Sequence, residues 1–533
     1  MSENEEYTWT DNPMEAGVAD CDPDVVNENL MHLKYNHKGG GGGLPPSICN
    51  SLTITRSGQN VTLKWQDPNN TILDNQYLCT WGGTKIVKKA GSYPTDEKDG
   101  EVVVDNTVHS QYLKNGYVDT IAENDENTYY YAAFPYSTNG VYCYNPFNQF
   151  KDAIIYEYCD NPNESNPALK ITYPNGSVNA DFEAAGMDFD QGTFNYGSWG
   201  NAFFQPRPVM LKYDGTVDYE LYKPDFKYRA DGQTLSDVSN AEYQGNAMIG
   251  FPQVWFKFAM TNGLKHVYIA NCQVDEDYHC FTHINKNGEL LPEIYVMAFQ
   301  PANINSVARS LAGKTILTNN AGTTEITNAQ NNGACWGLMD YGEVKMIEYL
   351  LHLMGKSTDT QAVYGKGRDS NNPNATTGEA LAKGMFYGTK ATGMVKIFGI
   401  ENYYGNYWKR INGCVYTTVG MRYKLCDYTA DGSMVIGYNT NGDGYLTHQT
   451  FTGSSGGYIS QTLLTPVGIF PTVVSGSATT HYPDGLWWSN GGFAFVGGSY
   501  GDGALSGASA LSLGFAVGVA GASIGGSLSC KPL

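Results

Sequence analysis

The chain has 533 residues, 41% of them hydrophobic and only 16% charged, which leaves room for several β-rich domains with sizeable cores. A formal charge of −20, with lysine and arginine scattered along the chain, argues against nucleic acid or an anionic membrane surface as partner. Eleven cysteines at irregular spacings spell no disulfide framework; Cys272 and Cys280 could pair, but reduced thiols are the expectation.

The first six residues, Met1 to Glu6, are acidic and carry no apolar run, so no signal peptide is read there. Asp22 followed by Pro23 is a helix start, and Val26, Leu30 and Leu33 would share one face of that helix. Residues 1–38 are therefore read as an arm that docks on a partner or on another copy of the chain, with a frayed terminus as the plain alternative. Five glycines and Leu-Pro-Pro make 39–46 a flexible linker.

From 47 to 147 the pattern is that of a β-sandwich. Ser51 to Thr55 and Asn60 to Trp65 alternate with period two, Asp67-Pro-Asn-Asn70 breaks the chain, and Asn127-Thr-Tyr-Tyr-Tyr131 opens a strand that ends in the turn Ser137-Thr-Asn-Gly140. The inward tryptophan and the tyrosine-rich strand resemble a fibronectin type III or Ig-like domain, which implies a spacer. Residues 148–183 read as a polar connector with Asp160-Asn-Pro-Asn-Glu-Ser-Asn-Pro167 in its middle.

Beyond 184 the β pattern resumes, with hairpin turns expected at Asp214-Gly215 and Asn287-Gly288. One helix stands out. Asp340 with Glu343 makes a capping box, Val344, Ile347, Leu350, Leu351 and Met354 line one face, and Gly355 occupies the expected C-terminal cap. Residues 357–385 read as a long loop. The last stretch, Gly485 to Leu533, is different in kind: between Gly503 and Cys530 there is no charged side chain, and almost every residue is small. A membrane segment, a disordered tail and a buried glycine-rich strand all compete with a ligand-facing surface as readings of it. Too much glycine and serine weakens the first, and apolar anchors at Leu513, Phe515, Val517, Val519 and Ile524 weaken the second.

The run Gly399-Ile-Glu-Asn-Tyr-Tyr-Gly-Asn-Tyr-Trp-Lys-Arg-Ile-Asn-Gly413 resembles the core motif of C-type-lectin-like proteins related to formylglycine-generating enzymes. Gly497-Gly-Ser-Tyr-Gly-Asp-Gly503 and Ile524-Gly-Gly-Ser-Leu528 resemble the closing segments of that fold. Met210 to Tyr219 and Gly245 to Trp255 are similar to tail proteins of gut bacteriophages. The resemblance covers roughly 184–533 together with the N-terminal arm. It implies a mainly β chain with an α+β C-terminal domain of C-type-lectin type at 184–533. It further implies a host-recognition protein of a phage tail, of the kind diversified by retroelements, trimeric, attached to tail proteins through its arm and carried on the virion at a fibre tip. Its partner would be a bacterial surface receptor, protein or glycan.

The diversifiable surface would lie at 497–529 and include Ser499, Gly501, Ala504, Leu505, Ser506, Ala508, Ala510, Ser512, Gly514, Phe515, Val517, Val519, Gly521 and Ser523. Glu401, Asn402, Gly405, Asn406 and Trp408 would serve as scaffold, Glu401 and Asn402 by satisfying backbone groups of neighbouring loops, Gly405 by allowing a tight bend and Trp408 as core. Relatives usually carry arginine after Ile-Gly-Gly, where this chain has Ser527. Template mutagenesis at adenines of Asn codons would exclude Lys, Glu, Gln, Met and Trp, and none of these occurs from Ser499 to Ser529, as any small-residue tract would also show. A bacterial or prophage-encoded surface adhesin, and an enzyme on the same scaffold, are the alternatives.

Chemistry was sought elsewhere as well. Asn439 to Gly444 begins like a calcium loop but lacks the distal glutamate. Asp277, His279, Cys280 and His283 match no zinc spacing. Cys414 and Cys426 lie near the motif, with Lys424 beside the second, yet no histidine accompanies them. No catalytic residue, metal or cofactor is expected.

Overall fold

A computed structural model describes residues 44–533 apart from 58, 74–75, 124, 126, 146–147, 276, 286–289, 369–371 and 425–445. The expected arm helix, the Asn287-Gly288 turn, the calcium-like stretch and Cys426 lie outside the described residues. The chain is mainly β and forms two compact units that meet in sequence at Ala153 and Ile154.

In the first unit two sheets face each other across one core. One sheet runs Tyr117–Thr120, Asn60–Gln66, Asn50–Ser57, Lys151–Asp152, and the other Glu101–Asn106, Trp81–Ala90, Tyr129–Ser137. Leu63 and Trp65 from the first meet Ile86, Tyr131 and Ala133 from the second. The inward Trp65 donates from Nε1 to Asp67 at 2.8 Å. Asp67 is itself buried and also accepts from Thr84 Oγ1, Asn106 Nδ2 and the Ser110 amide. A carboxylate shut away from water needs such a full set of donors. The Ser137–Gly140 turn closes through Gly140 N–H to Ser137 O, with Gly140 at φ 76°.

The stretch expected as a connector is divided between the units. Lys151–Asp152 pairs with Asn50–Ser57, whereas Ile155–Asp160 lies in a four-stranded sheet ordered Ile171–Thr172, Ile155–Asp160, Leu264–Ala270, Trp255–Thr261. Its polar residues mislead because some are buried in pairs. Asp160 and Lys170 are both inside at 3.2 Å, Lys265 lies 3.6 Å from Asp160, and Tyr482 donates to the same carboxylate.

The rest of the second unit is built on two larger sheets. The six-stranded one runs Val217–Glu220, Arg207–Lys212, Gly245–Pro252, Glu293–Met297, Ser529–Cys530, Trp336–Gly337. The ten-stranded one runs Leu446–Thr447, Gly420–Tyr423, Trp408–Thr417, Gly492–Val496, Leu511–Phe515, Tyr482–Trp488, Gly457–Thr465, Gly468–Val474, Thr452–Gly453, with Ile524–Gly525 parallel beside Trp408–Thr417.

The helix Tyr341–Gly355 sits in the core, and its capping box forms between Asp340 and Glu343. It is buried on every side, not on the one face expected. Its polar positions are matched internally: Lys345 pairs with Glu348 at 2.7 Å, and Lys531 closes on Asp340 beneath the first turn. The left-handed cap is Lys356, at φ 50°, one residue after Gly355. Gly355 is needed for space, since a Cβ there would meet the Tyr364 hydroxyl at 2.8 Å. The loop expected over 357–385 contains the short helix Thr360–Tyr364.

Candidate ligand-binding cleft

The motif strand Trp408–Thr417 and the residues just before it hold both ends of the terminal tract. At one end Gly405 N–H donates to Gly497 O, Tyr500 N–H donates to Asn406 O, and Asn406 bridges Ser499 in parallel. At the other end Trp408 N–H donates to Ser523 O, and Ile524 and Gly525 run beside Trp408 and Lys409. Between these ends the tract enters the sheet at Leu511–Phe515 and leaves it as a loop over 516–523.

Of the two residues expected to satisfy backbone groups, Glu401 does so and Asn402 does not: its Oδ1 is buried without a hydrogen-bond partner. The buried Glu401 carboxylate accepts from the Gly378 and Ala380 amides at 2.9 and 2.7 Å. Burial pushes its pKa up and that of neighbouring Lys396 down to about 7. Asn406 clips the same loop further back, accepting from Asn374 N–H and donating to Asn374 O, both at 3.0 Å. Asn402 and Gly405 take left-handed backbone at φ 50° and 76°. At Gly405 a side chain would press on the backbone of Gly367 and Arg368 at 3.2 Å. Trp408 departs from plain core. It joins Phe495, Ala510 and Ile524 in a separate small cluster on the far face of the sheet and meets Trp487 edge-on at 5.4 Å.

These rings floor a cleft of about 390 Å³, bounded by Ser499 and Asp502 on one side and by Phe515, Val519, Gly521 and Ser523 on the other. Its volume falls in the range of small-ligand sites, and an aromatic floor with few polar groups is the usual makeup of such sites. Asp502 is turned back on its own loop, accepting from the Ser499 amide and hydroxyl at 2.7 Å.

The opposite wall is held almost wholly through its backbone. Arg410, fully buried, pairs with Glu325 at 2.6 Å and donates to the carbonyls of Val517 at 3.0 Å, Val519 at 2.8 Å and Asn320 at 3.2 Å. Gly322 N–H donates to Val517 O and Asn319 N–H to Gly521 O. The Arg410 guanidinium also stacks 4.6 Å over the Phe495 ring. On this wall Ala516, Gly518, Ala520 and Ala522 are exposed, whereas Val517 packs against the main core and Val519 against the Trp408 cluster. Ser527, where arginine was expected, is buried, donates to Arg410 O and accepts from Met339 N–H.

The positions expected on a variable surface therefore separate. Gly501 and Phe515 are exposed, and Ala504, Leu505, Gly514, Val517, Val519, Gly521 and Ser523 are half-buried. Ser506, Ala508 and Ala510 are buried and do not face solvent, which corrects the surface reading for them. Ser499 and Ser512 are also buried, but both line the cleft. The strand approaches its neighbours too closely for a surface. A Cβ on Gly492 would sit 1.6 Å from Leu513 O, and one on Gly507 would sit 2.0 Å from the Asp484 carboxylate.

Arg410, Trp487 and Phe495 were not anticipated as site residues. Trp487 had a signal: adjacent residues of a strand point to opposite faces, so Trp487-Trp488 must serve two surfaces. Trp488 indeed packs on Phe451 in the main core, while Trp487 faces the cleft.

The other candidate chemistries fall apart in space. His283 is fully buried, with Nε2 at 3.1 Å from Phe251 O and Nδ1 at 2.6 Å from Thr282 Oγ1, and burial pushes it down to about 3. Asp277 is paired with Lys257 at 2.8 Å. Cys414 is buried in the core and its thiol is pushed up by loss of water, the opposite of an activated nucleophile. Among the described residues no helix is long and apolar enough to cross a membrane. No family model matches the chain, and no curated protein matches it.

Proposed function

We propose that this chain is a host-recognition protein of a bacteriophage tail, which grips a bacterial surface receptor, protein or glycan, in the Trp408–Trp487 cleft. In this reading 184–533 is a C-type-lectin-like domain, the fibronectin-like sandwich is a spacer, and the N-terminal arm joins three copies to the tail at the fibre tip. Three copies would turn weak single contacts into avidity.

The observation that carries the reading is the wall over 515–523, which is fixed by main-chain bonds to Arg410, Asn319, Gly322 and Trp408. A wall positioned by its carbonyls keeps its shape while the exposed positions Ala516, Gly518, Ala520 and Ala522 change. That is what a binding surface under diversification requires.

The test is binding of the full chain to intact bacteria before and after the paired change Phe515→Asp and Val519→Asp. The Phe515 side chain is half exposed and both residues line the cleft. Two carboxylates there should weaken binding tenfold or more, as loss of a hot-spot contact does. Val519 packs on the Trp408 cluster and Phe515 meets Phe495 at 6.3 Å, so the double variant should lose on the order of 1–2 kcal/mol and remain folded, as an unfolding curve run alongside checks. Host binding that persists at full strength in the double variant would remove the cleft from the mechanism.

A further inference from the structure

Away from the cleft, the outer face of the four-stranded sheet carries a histidine, a cysteine and a glutamate in mutual contact. Cys159 stands opposite His266 in the register of Ile155–Asp160 with Leu264–Ala270, and Glu157 lies two residues along on the same face as Cys159. The inward residues of these strands, Tyr156, Tyr158, Val267 and Ile269, belong to the main core, so the three sit on the side turned away from it. His266 Nδ1 is 2.5 Å from Glu157 Oε1 and 3.5 Å from Cys159 Sγ. The donor atoms of all three lie within 4.8 Å of one another.

We propose that Glu157, Cys159 and His266 form a binding site for a divalent cation of the zinc class. The geometry is the first argument. Zinc bonds of about 2.3 Å to sulfur and about 2.0–2.1 Å to nitrogen, set at tetrahedral angles, put a sulfur and a nitrogen ligand about 3.5 Å apart. That is the spacing found between Cys159 and His266. The same construction puts nitrogen and carboxylate oxygen about 3.3 Å apart, so Glu157 must withdraw by about 0.8 Å from its present hydrogen bond. Rotation of its side chain provides this.

The second argument is donor chemistry. Thiolate, imidazole and carboxylate together form a set that borderline-soft cations take and that calcium and magnesium do not. The third is rigidity combined with access. Two of the ligands face each other on paired strands, and the Glu157 backbone is pinned by Asn179, which accepts from its amide at 2.8 Å and donates to its carbonyl at 2.9 Å. The Glu157 and His266 side chains keep 15% and 13% of their surface open, while Cys159 is buried behind them. An ion therefore enters past the carboxylate, and its fourth position is left to water or an outside donor.

In the empty site the cysteine is a thiol, since burial and the neighbouring Glu157 push its pKa up to about 12. Binding replaces that thiol proton by the cation.

The test uses the reduced full chain, stripped of metal by chelation, and titrated with Co²⁺ alone. A thiolate-to-cobalt charge-transfer band should grow to saturation at one equivalent and disappear when Zn²⁺ is added. Cys159→Ser should abolish the band, Glu157→Gln should weaken cobalt binding on the order of 10- to 100-fold, and Cys414→Ser should leave it unchanged. The wild-type titration stands alone should Cys159→Ser misfold. Absence of a charge-transfer band, cobalt held only by surface carboxylates, or a band that survives in Cys159→Ser or His266→Gln would each overturn the site.

Discussion

Arg410 is the residue on which both the stability of the second unit and the shape of the cleft converge. Arg410→Met keeps much of the volume and removes the charge. Glu325 is then left buried, 2% exposed, with no counter-charge. Breaking a buried pair in this way costs about 3–5 kcal/mol, a large share of a typical domain's stability. The loss must depend on pH in a definite sense. Burial holds the Glu325 pKa above its ordinary 4.5 even with Arg410 present, and the arginine partly offsets this. Without Arg410 the pKa rises further. Between the unfolded and folded values the folded state binds more protons, so stability falls as pH rises through that window. The deficit of Arg410→Met is therefore greatest at neutral pH and shrinks towards pH 4.5.

The double variant Arg410→Met with Glu325→Leu separates the two roles. Replacing a buried pair by apolar residues is commonly neutral or stabilising, so global stability should return. The three carbonyl bonds to Asn320, Val517 and Val519 do not return. Hydrogen exchange on the full chain reads both quantities: core amides of Trp408–Thr417 report global stability, and amides of 515–523 report the wall. The expected result is core protection near wild type with faster exchange confined to 515–523. A single variant that loses less than about 1 kcal/mol, or a double variant whose wall exchanges as slowly as wild type, would refute the assignment of Arg410 as the wall's anchor.

Two further outcomes follow from the geometry. Gly518 has open space where a Cβ would stand, whereas at Gly492 it would meet Leu513 O at 1.6 Å. Gly518→Tyr should leave the unfolding free energy from urea denaturation within about 0.5 kcal/mol of wild type, and Gly492→Ala should lower it by about 3 kcal/mol or prevent folding. His283 is buried neutral and pushed down to about 3 from 6.5. Its contribution is present above pH 6.5 and is lost as pH falls, at on the order of 1 kcal/mol per pH unit at most. Acid titration of the unfolding free energy should show a shallower slope between pH 6 and 5 in His283→Gln.

The sequence made some of this visible because the signals were local. The capping box at Asp340 and Glu343 involves residues three apart, and the hairpin at Asp214-Gly215 needs only its turn chemistry. Glu401 could be assigned to backbone satisfaction because a buried carboxylate needs donors, but the same role expected of Asn402 falls instead to Asn406, which bonds both backbone groups of Asn374. The misreadings share one cause. Lys345, Glu348 and His352 look like a solvent face of a helix, and Asp160 looks like part of a polar connector. All four are buried against residues distant in sequence, Asp160 by Lys265 and Tyr482, Lys345 by Phe470 and His352 by Tyr482, while Lys345 and Glu348 offset each other's charge within the helix. Pairing across such distances leaves no local mark.

The small residues of the terminal tract have two separate origins, and composition alone blends them. At Gly492 and Gly507 they are enforced by close packing against Leu513 and Asp484. At Gly518, a Cβ would meet nothing, and neighbouring Ala516, Ala520 and Ala522 are exposed. Much of what sets the conformation of that second part lies outside it, in Asn319, Gly322, Trp408 and Arg410, which donate to its carbonyls. Conformation and side-chain identity are thus uncoupled at Ala516, Gly518, Ala520 and Ala522, while Val517 and Val519 between them pack inward and the segment 506–513 is tightly coupled throughout. Substitutions without a packing cost are therefore confined to those four exposed positions, and the Trp408–Trp487 floor, fixed by the sheet, is unchanged by them.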